Sequence, residues 1–110
     1  MLTTGGCPKN MLAIKDAIEA VEGKWKLLIL IALSAESKRF KELAKELNIS
    51  DKMLSKELKA LEANKLVKKE TDELTSAAAY SITDHGRSLE KVMQELSSWG
   101  LGHRKEVIGE

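Results

Sequence analysis

From Trp25 to Leu33 every residue except Lys26 is apolar. A helix over Lys24 to Leu33 has almost no polar face, and a helix of that kind is buried all round. The rest of the chain must therefore supply elements to surround it. The uninterrupted run, Leu27 to Leu33, is far too short to cross a bilayer, which needs about 20 residues. The 110 residues are one domain's worth of sequence, enough for a single modest core around this central helix.

The flanking segments read as smaller elements. Residues 1–9 form a flexible arm, with Gly5, Gly6 and Pro8 blocking regular structure. Asn10 is placed to cap a first helix whose apolar residues, Met11, Ile14, Ala17, Ile18 and Val21, recur at helical spacing. Gly23 suits the left-handed position at its end. Beyond the central helix, Lys38, Arg39 and Phe40 form a short edge strand. A third helix then buries Phe40, Leu43, Ala44 and Leu47 and exposes Lys41, Glu42, Lys45 and Glu46. Asn48 tolerates the left-handed conformation of a tight turn, and Ser50 caps a fourth helix from Asp51 to about Ala63. Leu54, Leu58 and Leu61 share its inner side, while Lys52, Lys56, Lys59 and Ala63 point the opposite way. Leu66 to Thr71 and Ala78 to Thr83 read as two strands of a hairpin joined by the polar link Asp72 to Ala77. Thr83 and Asp84 cap a last long helix with Leu89, Val92, Met93, Leu96 and Trp99 on one side, and Gly100 and Gly102 loosen the tail beyond it. The expected organisation is an arm (1–9), a domain with dimerisation helices (10–100) and a tail (101–110). Met11, Met53 and Met93 sit at core spacing and read as packing.

This order is mainly α with a small antiparallel β-hairpin wing: a winged helix-turn-helix with additional N- and C-terminal helices. Leu43, Ala44, Leu47 and Ile49 would hold the fourth helix at a steep angle, its far face free to enter a major groove. An ordinary helical hairpin has the same spacing, so charge has to decide. The whole chain carries only +1, yet between Lys38 and Lys69 ten Lys/Arg stand against five Asp/Glu. The outward row Lys52, Lys56 and Lys59 has no acid in it and suits phosphates and guanine edges. Ser50, Asp51 and Ser55 lie near the helix start, within short reach of bases or phosphates. Arg39 precedes the third helix and reaches toward a flanking phosphate. Lys68 and Lys69 on the first hairpin strand are candidates for backbone contact.

Five segments in order resemble the HxlR-type regulators: Gly23-Lys24-Trp25-Lys26-Leu27-Leu28-Ile29-Leu30, Arg39-Phe40-Lys41-Glu42-Leu43, Ile49-Ser50-Asp51-Lys52-Met53-Leu54-Ser55, Leu58-Lys59-Ala60-Leu61-Glu62 and Tyr80-Ser81-Ile82-Thr83-Asp84-His85-Gly86-Arg87-Ser88-Leu89. The resemblance covers about Gly23 to Gly100. It implies a dimeric bacterial regulator that binds double-stranded DNA, with sensing of redox or reactive electrophiles in many members. A palindromic operator and a second copy of the chain are the expected partners, the effector being unknown. Cys7-Pro8 resembles the N-terminal sensor cysteine of some members, although it lies further upstream of Gly23 than that pattern has it. Lys9 beside it would lower the thiol pKa. The wing departs from the pattern too, since Asp72 to Ala77 carries two acids and no cation, which argues against deep insertion of the tip.

The stripes Ile14, Ile18, Val21 and Leu89, Val92, Leu96, Trp99 are the expected dimer surface, with Trp99 as an anchor. A lone cysteine and no signal peptide point to the cytoplasm. His85 and His103 have no partners at metal spacing, so no metal and no cofactor are expected. No nucleophile–base pair or phosphate-binding glycine loop suggests an enzyme. Two rival readings stay open: a winged-helix protein-interaction module without DNA binding, and a small-molecule-responsive winged-helix regulator of another class.

Overall fold

A computed structural model describes residues 8–109. The elements follow one another as α1 (Pro8–Val21), α2 (Lys26–Ala35), β1 (Lys38–Arg39), α3 (Phe40–Leu47), α4 (Asp51–Ala63), β2 (Val67–Thr71), β3 (Ala78–Ile82), α5 (Asp84–Arg87) and α6 (Glu90–Ile108). This is the winged helix-turn-helix arrangement, mainly helical with a small antiparallel sheet. The sheet has three strands in the order β1-β3-β2, so the short edge strand completes the wing. Its register pairs Val67 with Ile82, Lys69 with Tyr80 and Lys38 with Tyr80.

The core forms where three helices and the sheet meet. Ile29, Leu30 and Leu33 of α2, Leu43 of α3, and Leu54, Leu58 and Leu61 of α4 are all fully buried. Each such side chain contributes roughly 1.5–3 kcal/mol relative to exposure. Val67, Tyr80 and Ile82 close the core from the sheet, and Met93 from α6. The junction after β3 is held by Thr83. Its Oγ1 donates to the Lys65 carbonyl at 2.7 Å and accepts from the Gly86 N–H at 2.9 Å. Gly86 is required there, because a Cβ would lie 2.3 Å from the Leu66 carbonyl oxygen.

Several expectations need correcting. The first helix already includes Pro8, the first described residue, so Asn10 lies inside it and does not cap it. The central helix is buried on one side only, since Leu28 and Ile31 are 40% and 53% exposed. The α1 and α6 helices do not wrap far enough to cover them. Met11 and Met53 are exposed, so Met93 alone of the three fills the core. The segment after Thr83 is two helices, a single turn and then α6, with Leu89 at the break. The last helix does not end near Gly100. It runs unbroken through Gly100 and Gly102 to Ile108, where Gly109 takes the left-handed cap at φ 86°.

Candidate nucleic-acid interface

The turn between α3 and α4 is built from local signals. Asn48 adopts φ 54°, ψ 50°, and its N–H bonds to the Ala44 and Lys45 carbonyls. Ile49 is buried behind it. Ser50 is extended, and its Oγ accepts from the Met53 N–H at 3.1 Å, which is the N-cap the sequence predicts. With Leu54, Leu58 and Leu61 committed to the core, the opposite side of α4 faces outward. Lys52, Lys56 and Lys59 are exposed there. Among the described residues none of the three has a carboxylate at ion-pair distance.

Two of the three acids of α4 are engaged by lysines of other helices. Asp51 pairs with Lys41 of α3 at 2.6 Å, and Glu57 pairs with Lys26 of α2 at 2.7 Å. Ser50 and Asp51 thus have partners within the chain, and Ser55 is half-buried on the shoulder of the helix. The Lys26–Glu57 pair escapes sequence reading, because the two residues are 31 apart and a glutamate on a charged helix reads as solvated.

Arg39 precedes α3 with an exposed side chain, its own N–H held by Glu42 Oε1 at 2.7 Å. Its neighbour Lys38 is engaged instead with Glu46 at 3.1 Å and Glu36 at 3.6 Å. The hydrogen bond to Glu46, with the charges of both glutamates, holds its pKa above the ordinary lysine value. Lys68 and Lys69 lie on opposite faces of β2, as successive strand residues must. Lys68 lies 3.6 Å from Glu70, while Lys69 folds over the Tyr80 ring at 5.9 Å. The two lysines therefore do not act as one patch. The wing tip is closed by its own acid, Asp72 Oδ1 accepting from the Leu74 and Thr75 N–H groups.

Ile14 and Ile18 of α1 and Val92, Leu96 and Trp99 of α6 are exposed. Val21 and Leu89 are half-buried and pack on the core of their own chain. Trp99 stacks on His103, ring centroids 4.7 Å apart. Leu28 and Ile31 extend this apolar surface along a groove of about 440 Å³ between α2 and α6, lined also by Leu27, Met93 and Leu96. The sequence pattern places Leu28 and Ile31 in the core, whereas they are exposed. Cys7 lies outside the described residues. Among the described residues no helix is long and apolar enough to cross a membrane.

Comparison with known proteins agrees with this fold. Residues 20–107 match the model of the HxlR-like helix-turn-helix family. An uncharacterised HTH-type transcriptional regulator of Bacillus subtilis, YtcD, is 33% identical over 104 residues, 93% of this chain and 82% of that protein. The reduced form of the transcriptional regulator YodB from B. subtilis superposes with a TM-score of 0.76 at 32% identity, covering 93% of this chain and 94% of that one. The redox regulator HypR in its reduced form gives a TM-score of 0.80 at 27% identity, covering 89% and 99%. With four-fifths of its length matched by the family model and its fold shared with these regulators, the chain belongs to the HxlR-like helix-turn-helix family.

Proposed function

We propose that this protein is a sequence-specific transcriptional regulator that binds double-stranded DNA as a homodimer in the cytoplasm. The observation that carries the reading is the outer row of α4. Lys52, Lys56 and Lys59 are exposed and unneutralised, while Asp51 and Glu57 of the same helix are held by lysines of other helices. A cationic row on the second helix of this motif meets phosphates and guanine edges in a major groove. Arg39, Lys68 or Lys69, and the solvent side of Ser55 add contacts at its margins, with Ser50 and Asp51 serving first to start the helix. The reading assigns no catalytic residue.

Two copies would join through the apolar surface of Ile14, Ile18, Val92, Leu96 and Trp99, extended by Leu28 and Ile31. Two-fold symmetry then presents two α4 helices to successive major grooves of a palindromic operator. In this organisation 10–100 carries DNA binding and dimerisation, although α6 itself continues into 101–110. The test is enrichment of duplexes from a random-sequence pool. A palindromic consensus bound with a steep salt dependence is the expected result. No enrichment, with a protein partner retained instead, would favour an interaction module.

A second reading concerns control. The likeness to HypR, described as a redox regulator, favours a thiol response. Cys7 is the chain's one cysteine, so oxidation within these 110 residues leads to a mixed or intermolecular disulfide, not an intrachain one. Diamide should change operator affinity in the wild type and leave Cys7→Ser unaffected. An equal response in both proteins removes Cys7 from the mechanism.

A further inference from the structure

Glu57 is the buried charged residue of the core region, 9% exposed. It sits on α4 between Lys56 of the outer row and Leu58 of the core face. Lys26, the first residue of α2, meets it with 2.7 Å between Nζ and Oε1, the two side chains being 14% and 12% exposed. The same ammonium lies 3.4 Å from the Glu22 carbonyl, just beyond the end of α1. One cation thus touches the segment after α1, the start of α2 and the middle of α4.

Such a pair is weak cement. Stripping water from both charges offsets most of their attraction, and well-packed apolar replacements are often as stable or more so. Its distinctive property is direction. Leucine-on-leucine contacts along α4 carry no polar direction, whereas the ion pair at 2.7 Å keeps its charge-assisted hydrogen bond only while the Lys26 ammonium and the Glu57 carboxylate stay within reach of each other. Orientation matters for the outer row. A side chain reaching about 6 Å from the helix axis is displaced by about 2 Å when the helix turns by about 20°. That exceeds the tolerance of a hydrogen bond to a base edge.

We infer that Lys26 and Glu57 form a positioning contact for DNA recognition. They set the rotation and tilt of α4 against α2, and so fix where Lys52, Lys56 and Lys59 arrive in the groove, without touching DNA. The inference rests on the DNA-binding reading above.

The experiment compares wild type with the double variant Lys26→Met/Glu57→Leu. Affinity is measured for the duplex that wild type enriches from a random-sequence pool, and for an unselected random duplex, with urea denaturation alongside. The expected result is an unchanged or higher denaturation midpoint and about a tenfold loss on the enriched duplex. Binding to the random duplex stays within about twofold, since the phosphate-binding lysines remain. A folded double variant whose ratio of enriched to random affinity equals that of wild type overturns the inference. Should the double variant fail to fold, Lys26→Arg and Lys26→Gln decide. Arginine keeps the pair and should keep the ratio, glutamine breaks it and should lower it, and equal ratios in both again overturn the inference. A wild type that enriches no duplex refutes the DNA-binding reading itself, which is a different outcome from a variant that binds as wild type does.

Discussion

Helices α2 and α4 bury one side each in the same core, and they differ in what they leave outside. The inner sides are alike: Ile29, Leu30 and Leu33 on one, Leu54, Leu58 and Leu61 on the other, all fully buried. The outer side of α2 is Leu28 and Ile31, and that of α4 is Lys52, Lys56 and Lys59. The inner sides specify the fold and are chemically interchangeable. The outer sides differ in chemistry, apolar on α2 and cationic on α4, so under the proposed function an apolar partner suits the first and an anionic one the second. The same division separates α4 from the wing tip, where the exposed acids of Asp72 and Glu73 offer nothing to a phosphate.

The comparison predicts that damage to the two inner sides is equivalent. Leu30→Ala and Leu54→Ala should each lower folding stability by about 2–5 kcal/mol, the cost of a cavity at a fully buried leucine. Urea denaturation measures both. A loss under about 1 kcal/mol at either position would mean that its helix is not part of the shared core.

The outer side of α2 comes next in size. Ile31→Lys places a charge on the apolar groove at a residue that is 53% exposed within one chain. Folding of the single chain should change by no more than about 0.5 kcal/mol, as for most surface substitutions. Self-association should weaken by about 2 kcal/mol or more if the residue is buried between copies, and Trp99→Ala should act in the same direction. Sedimentation across a concentration series reads this directly. A wild type that stays monomeric at micromolar concentration would break the assignment of the α2 surface to a second copy.

Where the signal was local, the sequence was legible. The bounds of α4 follow from Ser50 and Asn64, the turn from Asn48, and the hairpin from alternation along Ala78 to Ile82. Each is decided by residues a few positions apart. The misreadings concern long-range geometry. An apolar periphery carries no direction, so nothing in Leu27 to Leu33 tells which side of α2 its neighbours will cover. Nothing adjacent in the sequence marks Glu57 as buried, because its partner Lys26 is 31 residues away. Gly100 and Gly102 each disfavour a helix by about 1 kcal/mol, yet the surrounding residues of α6 carry the helix past them. The cationic row was legible because exposure was already implied by the leucines opposite, and so was the Ser50 cap; the internal partners of Asp51 and Lys69 were not.

On the outer side of α4, Lys56→Ala tests the central lysine of the row. A phosphate contact predicts weaker binding to all duplexes and a salt slope reduced by about 1 per lost contact, about 2 for a dimer. A guanine contact predicts a loss concentrated on the enriched duplex, about 1–3 kcal/mol per half-site. Thermal melting should be nearly unchanged, since the residue is exposed and alanine is a better helix former. Full affinity with an unaltered slope in a folded protein would show that this face does not meet DNA.

Met53 is where the contrast between the two helices is least clean, and it gives the smallest effect. It is the one large apolar side chain that α4 leaves exposed, at 36%. Its position one residue after Lys52 and three before Lys56 puts it at the edge of the cationic row, near the N-terminal end of α4, the part of a recognition helix that contacts base edges. A thioether there has no hydrogen bond to offer a base, but it can pack on a thymine methyl group. Met53→Ala should therefore leave the salt slope untouched, because no charge is lost. It should lower affinity by less than about 1 kcal/mol per half-site, and only for duplexes carrying thymine at one position of each half-site. Replacing that thymine by uracil in the probe, which removes the methyl alone, should cost the wild type the same amount and the variant nothing. If Met53→Ala instead weakens every duplex equally, the side chain orients α4 and reads no base. If it weakens self-association, the outer side of α4 is not reserved for DNA and the division between the two helices fails.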